Sequence, residues 1–354
     1  MERRIIIFII LALSLLNANN IINRFRVPIE FKTSIGIGYD SNVLRFSNKQ
    51  ISESDIYVLG ANSYIDSPIL KSTAKLVYKP ILFKKKSFSF FTSLSYNYFV
   101  NQKNKSYYIN NLSTSIKLIP YSSIKIGYRF IPKYYLQNYY DRDSVIRDRL
   151  ECTFASYKYY MMYSFPIYWI PRTWTKLYIE NSYEDYNQNF TEFNLNKLSR
   201  QFELNYQSKN KSVIRFAYIY GNAINTNFNS QLSSTYFDRS YNFDKVQVKI
   251  TFNKKIYKIT KFGIQAYIEN RFYDLKSIRY SIDNWKIYND GLLKYWFDLD
   301  LYDNVDIKIS HQYRWRDAKS QLYGDFEWIE DVKSYYKHEV WIEFSFNWVS
   351  DILY

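Results

Sequence analysis

The chain has 354 residues, 21 % of them aromatic, with 39 Tyr, 26 Phe and 8 Trp but only 8 Gly and 7 Pro. One Cys (Cys152) and two His (His311, His338) exclude a disulfide framework and any site built from several Cys or His ligands. The 48 Lys and Arg against 33 Asp and Glu give a net charge of +15. The basic residues are spread along the chain rather than gathered on one face, so nucleic acid is not an expected partner.

Residues 1–20 read MERRIIIFIILALSLLNANN. Arg3 and Arg4 precede an apolar run, Ile5 to Leu16, and Leu16-Asn17-Ala18 offers a small-residue cleavage site. This is the pattern of a secretory signal peptide, assigned to residues 1–18. The run would rise about 18 Å as a helix, short of the roughly 30 Å of hydrocarbon in a bilayer. Residues 19–354 then form one domain.

From there the chain alternates with a period of two almost throughout. Phe31, Thr33, Ile35, Ile37 and Tyr39 share a parity, with Glu30, Lys32 and Ser34 between them. Phe88, Phe90, Leu94, Tyr96 and Tyr98 oppose Ser89, Ser93, Ser95 and Asn97. Ile124, Ile126, Tyr128 and Phe130 oppose Lys125, Gly127 and Arg129. Phe202, Leu204 and Tyr206 oppose Gln201, Glu203 and Asn205. Ile214, Phe216 and Tyr218 oppose Arg215. Val246, Val248 and Ile250 oppose Lys245, Gln247 and Lys249. Ile264 and Ile268 oppose Gln265, Glu269 and Arg271. Leu293, Tyr295 and Phe297 oppose Lys294, Asp298 and Asp300. The last segment is the cleanest: Val340, Ile342, Phe344, Phe346 and Trp348 against Glu339, Glu343, Ser345 and Asn347.

Segments of about 10–14 residues exceed the five or six of an ordinary strand. They match the roughly 9–11 residues with which a tilted strand crosses a bilayer. The expected fold is therefore all-β, a transmembrane antiparallel β-barrel with its apolar face to lipid. Short and long connections alternate, which places both termini on one side. Fourteen strands satisfy this, and twelve to sixteen are open because the segment 41–80 can be divided in more than one way. Here Asp55–Pro68 is read as outer loop and Ile69–Pro80 as one strand. The doublets Tyr107-Tyr108, Tyr134-Tyr135, Tyr139-Tyr140 and Tyr335-Tyr336 fall near strand ends, where interfacial aromatic girdles belong.

The segment Gly36-Ile37-Gly38-Tyr39-Asp40-Ser41-Asn42-Val43 resembles the first strand of bacterial outer-membrane barrels. Among these are porin-like barrels and the barrels of surface lipoprotein assembly modifiers. The closing strand, with Phe344, Phe346, Trp348, Ile352 and Tyr354, resembles the signal read by the outer-membrane assembly machinery. The resemblance implies residence in the bacterial outer membrane, with its lipid and that machinery as partners; the oligomeric state stays open.

Catalytic chemistry finds little footing, and the chain is read as no enzyme. His311 and His338 share parity with apolar neighbours and are assigned to the lipid face. The pairs Glu339/Glu343 and Asp298/Asp300 share the polar parity, as any lumen charges would. The string Asp298, Asp300, Asp303, Asn304, Asp306 lacks the Gly and terminal Glu of a calcium loop and reads as a turn. Cys152, alternating with Leu150 and Phe154, is assigned to lipid. No cofactor or metal is expected. The candidate site is instead the lumen, lined on this parity by Lys125, Arg129, Arg215, Lys245, Lys249, Arg271, Lys294, Lys308, Arg314 and Arg316, with Glu269 and Asp298 among the acids. A basic conduit favours anions. The expected function is a channel for small hydrophilic solutes with mild anion preference; the alternative is a protein translocation or assembly barrel of the lipoprotein-modifier type, without chemistry of its own.

Overall fold

The computed structural model describes residues 24–53, 56–81, 87–140, 149–227, 239–253, 259–273, 286–320 and 331–350. The signal segment 1–18 and the terminal Ile352 and Tyr354 lie outside the described residues.

Alternating apolar and polar residues make a strand whose two faces want different surroundings. A membrane forbids such strands an unpaired edge, because lipid cannot hydrogen-bond the free N–H and C=O groups. The chain meets both demands with fourteen strands in sequence. They are β1 (Ile29–Asp40), β2 (Ser67–Tyr78), β3 (Ser87–Phe99), β4 (Tyr107–Ile119), β5 (Ser122–Tyr140), β6 (Arg149–Pro166) and β7 (Thr173–Tyr186). Then follow β8 (Leu195–Gln207), β9 (Val213–Asn225), β10 (Tyr241–Phe252), β11 (Ile259–Tyr273), β12 (Lys286–Tyr302), β13 (Val305–Ser320) and β14 (Tyr335–Ser350). Each pairs antiparallel with its neighbours, and β1 pairs with β14 from Ile29–Ser350 to Asp40–Glu339, closing the barrel. The segment 41–80 resolves as expected: it holds one strand, β2, after a loop that carries the short helix α1 (Asn48–Glu53).

Two-residue turns, Pro120–Tyr121 and Asp303–Asn304, mark one pole of the barrel. The oxygen-rich string around Asp303 is thus a turn. The longer connections gather at the other pole. The strands run from 12 residues in β1 to 19 in β5, longer than the sequence suggests. In β5, pairing with β4 stops at Phe130, while pairing with β6 continues to Tyr140–Arg149. The β5–β6 hairpin therefore stands above its neighbours at the long-loop pole.

The outer face is a belt of exposed apolar side chains. Ile35, Ile37, Ile126, Ile179 and Ile268 are each 54–59 % exposed. Such a belt on a closed antiparallel barrel with an even strand count and short turns at one pole is the architecture of bacterial outer-membrane barrels. The Tyr doublets depart from the girdle assignment. Successive residues of a strand point to opposite faces, so each doublet can send only one ring to lipid. Tyr108 and Tyr336 are exposed, while Tyr107 packs behind Phe99 and Val43, and Tyr335 is buried. Cys152 is also misplaced by the sequence reading. It is fully buried with Tyr186 and Phe190 on the inner side, because the chain after β7 folds Phe190 over it.

The β1–β14 closure is fitted closely. Gly36 lies opposite Glu343 on β14 and Lys71 on β2, and the Lys71–Glu343 ion pair of 2.9 Å passes over it. A side chain on Gly38 would meet the Trp341 ring at 2.5 Å. Above them, Lys337 Nζ donates to Asp40 Oδ2 at 2.7 Å and lies 2.6 Å from Glu339 Oε1. The Lys337 and Asp40 side chains are only 6 % and 4 % exposed. Lys337→Met would leave the buried Asp40 carboxylate, and the partly buried Glu339 beside it, without their shared ion-pair partner. Removing one partner of a buried pair costs about 3–5 kcal/mol, so the urea midpoint of the detergent-folded barrel should fall sharply. Adding Asp40→Asn should restore part of the loss. An unchanged midpoint would show that water, rather than Lys337, solvates this seam.

Candidate functional site: the basic lumen and its outer vestibule

Alternation fixes which side chains enter the lumen. Lys125 and Arg129 on β5, Arg215 on β9, Lys245 and Lys249 on β10, and Glu269 and Arg271 on β11 share the inward parity. So do Lys294 and Asp298 on β12, and Lys308, Arg314 and Arg316 on β13. Residues of this parity form ion pairs: Lys245–Glu269 at 3.3 Å, Lys308–Asp298 at 3.8 Å and Arg316–Asp290 at 2.8 Å across strands, and Arg271–Glu269 at 2.8 Å along β11. The structure brings these residues together in two groups.

The first group lies in the middle of the lumen. Lys249 sits within electrostatic reach of Arg215, Lys294 and Lys308, and Lys294 within reach of Lys71 and Arg314. Lys249 rests over the Trp296 ring at 4.9 Å. Trp296 and Leu292 face inward, so the lumen wall is part aromatic and apolar rather than wholly polar.

The second group is an outer vestibule, a cavity of about 670 Å³ at the long-loop pole. Its walls come from β5–β8, β10–β14 and, unexpectedly, from the loop after β1, and they include the carboxylate of Glu184 on β7, which has no Lys or Arg within 4 Å among the described residues. That loop turns inward because Asn42 acts as its hub. Asn42 N–H donates to Asp40 Oδ1, its Nδ2 donates to Phe46 O at 2.8 Å, and Phe46 N–H donates to its Oδ1 at 2.8 Å. The loop then packs Leu44, Phe46, Leu59 and Ala61 against Tyr135 of β5, and Asn138 N–H donates to Leu59 O at 3.1 Å. Arg45, at φ 59°, is left pointing into the cavity. The backbone-bonding side chain of Asn42 offsets the cost of that left-handed conformation.

Arg45, Lys105 and Arg239 are vestibule residues that alternation could not reveal, because all three sit in loops. The signal for Arg45 was present in Asp40-Ser41-Asn42, an Asx-type turn at the end of a strand. Lys105 Nζ donates to Tyr135 O at 2.6 Å and lies over the Tyr134 ring at 4.5 Å. Burial, the dominant cause, lowers its pKa from 10.5 to about 8, despite the opposing pull of Tyr134.

The two histidines lie on the outer face, stacked, with His311 Nε2 and His338 Nδ1 3.1 Å apart. They share no site with the inward Glu339 and Glu343. Among the described residues no group of three or more His, Cys, Asp or Glu could hold a metal ion.

No protein-family model matches the chain, and no curated protein matches it in sequence. Solved structures similar to it include an outer-membrane protein of Vibrio cholerae, OmpT lacking loop L8, at 9 % identity and TM-score 0.45, covering 90 % of this chain and 99 % of that one. Another is an anion-selective porin from Comamonas acidovorans, at 7 % identity and TM-score 0.42, covering 90 % and 98 %. A bacterial polysaccharide outer membrane secretin is similar at 9 % identity and TM-score 0.42, covering 89 % and 98 %.

The buried Lys105 sets a pH dependence. Its folded pKa lies below the unfolded value, so the folded state binds fewer protons between about pH 8 and 10.5, and stability gains from this group across that window. The urea midpoint of the folded barrel should therefore gain more between pH 7 and 9 in the wild type than in Lys105→Met. An identical pH response in both would rule out Lys105 as its source.

Proposed function

We propose that the chain is an outer-membrane channel that passes small hydrophilic solutes and favours anions. The observation that carries this reading is the unequal pairing of inward charge. Asp40, Glu180, Glu203, Glu269, Asp290, Asp298, Asp306, Glu339 and Glu343 each lie within 4 Å of a Lys or Arg. By contrast Lys75, Lys125, Arg129, Lys197, Arg215, Lys249, Lys294 and Arg314 have no carboxylate within that distance among the described residues. Glu184 and Asp300 share the inward parity with no Lys or Arg within that distance among the described residues, but the other acids are occupied in holding part of the basic set, and the basic residues left to face the lumen outnumber these two. In a conduit walled by protein, fixed charges of one sign raise the local concentration of counter-ions and bias which ions enter.

The strand number also supports the role. An eight-strand barrel fills its own interior, and the diameter grows with strand number. The translocation or assembly reading rests on the Gly36–Val43 resemblance alone. That segment has a local explanation here: its glycines seat Trp341, and its Asp40 and Asn42 anchor the first loop.

Purified, refolded protein in a planar bilayer, under about a tenfold salt gradient, should give steady conductance steps whose reversal potential has the sign of anion preference. Lys249→Glu with Lys294→Glu should move that potential toward cation preference. Cation preference in the wild type would overturn the charge argument. Absence of conductance from protein shown to be folded would overturn the channel and leave the assembly reading.

A further inference from the structure

We propose that the outer vestibule is a binding site for organic polyanions of the sugar-phosphate class, through which the chain selects its solute. The inference deepens the channel reading, on which it rests for how the solute arrives.

The argument begins with what holds the cations. Arg45, Lys105, Arg129, Lys197 and Arg239 all line this cavity, and none has a carboxylate within 4 Å among the described residues. Four of them are held against ring faces instead. Arg239 lies 3.9 Å over Phe193, Lys197 4.2 Å over Phe243, Lys105 4.5 Å over Tyr134 and Arg45 5.9 Å over Tyr335. A ring face fixes a cation without neutralising it, so the donors of Arg45, Lys197 and Arg239 stay available to an incoming anion, while Lys105, which donates to Tyr135 O and Leu136 O, contributes its charge. Arg129 Nε and Arg239 Nη1 are buried and have no hydrogen-bond partner. A buried donor without a partner is costly, and a phosphate oxygen in the cavity would satisfy it.

The distribution of charge selects for more than one anionic group. Arg129 stands on β5 and Lys197 on β8, while Arg45 reaches in from the first loop beside Tyr335 of β14. A single small anion would engage one wall and leave the others unsatisfied. A ligand with a phosphate at each end spans them, and guanidinium groups bind phosphate through paired donors. The cavity volume of about 670 Å³ suits a solute of that size. Between the cations the wall is phenolic, with Tyr139, Tyr241, Tyr273 and Tyr288 among its lining. Phenol rings offer an apolar face to the C–H side of a sugar ring and a hydroxyl to its hydroxyls.

Calorimetry on the full-length, detergent-folded barrel tests this without any need for conductance. Fructose 1,6-bisphosphate should bind with a Kd below about 1 mM. Inorganic phosphate, with one anionic group, and citrate, with comparable charge and no sugar ring, should bind at least about tenfold more weakly. Glucose should give no signal. Arg45→Gln with Arg239→Gln should weaken the bisphosphate at least about tenfold while the urea midpoint stays near wild type. Failure of fructose 1,6-bisphosphate to bind, equal binding of citrate or phosphate, or indifference to the double substitution would each overturn the proposal. In bilayers the bisphosphate should block current in a concentration-dependent way. Binding by calorimetry without conductance would sink the channel reading and leave the site standing.

Discussion

Closure of β1 onto β14 is the constraint on which everything else in this molecule depends. In lipid, an open edge would leave a strand's worth of N–H and C=O groups unsatisfied, each costing several kcal/mol. Closure removes that edge but brings the first and last strands of the chain together across the longest sequence separation available. The register must then be unambiguous, because a slip of one residue would turn the slipped strand's polar residues to lipid and its apolar ones to the lumen. Three devices hold it. Trp341 fits the space that Gly38 leaves, Lys71 reaches Glu343 across Gly36, and Lys337 is clamped between Asp40 and Glu339. Each device fails if the strands shift by one position.

The scarcity of glycine becomes intelligible from the same viewpoint. A Cβ at Gly127 would meet the Tyr160 ring, and one at Gly263 the Trp296 ring. In both cases the partner lies directly opposite on the next strand. Here a strand glycine is a seat for an aromatic ring, in the manner of aromatic rescue in designed sheets. A chain rich in aromatics needs such seats only where a ring must lie flat against the wall.

Periodicity made the strands, their number and their two faces legible, because in a barrel parity decides which medium a side chain meets. It failed where parity stops being the deciding variable. Cys152 shares the inward parity of Phe154, Ser156 and Lys158, but its apolar neighbours Leu150 and Phe154 read as lipid-facing because the apolar cover inside, Phe190, arrives from a loop. The Tyr doublets were legible as strand ends but not as half-inward rings. Arg45, Lys105 and Arg239 belong to loops, where no period exists, and they complete the vestibule. The one loop feature readable in advance was the Asp40-Ser41-Asn42 turn. Its consequence, a loop that crosses toward β5, depends on the fit of Leu59 and Phe46 to Tyr135.

Seam and site are consequently one mechanical unit. The first loop is tied to the closing strand: Ser41 N–H donates to His338 O at 3.0 Å, and Asn42 Nδ2 donates to Tyr336 O at 3.3 Å. One residue away on β14, Tyr335 lies beneath Arg45, and Lys337 holds Asp40, whose Oδ1 accepts the Asn42 N–H. The position of Arg45 in the lumen is thus set by the same residues that close the barrel. A vestibule built this way cannot open by loop motion alone, because moving Arg45 means breaking bonds to a strand that the membrane requires to stay paired. The selectivity proposed for it would then be a fixed property of the wall rather than that of a gate. In the proposed site, rings hold four of the five cations before any solute arrives, so that little ordering is left to be done on binding.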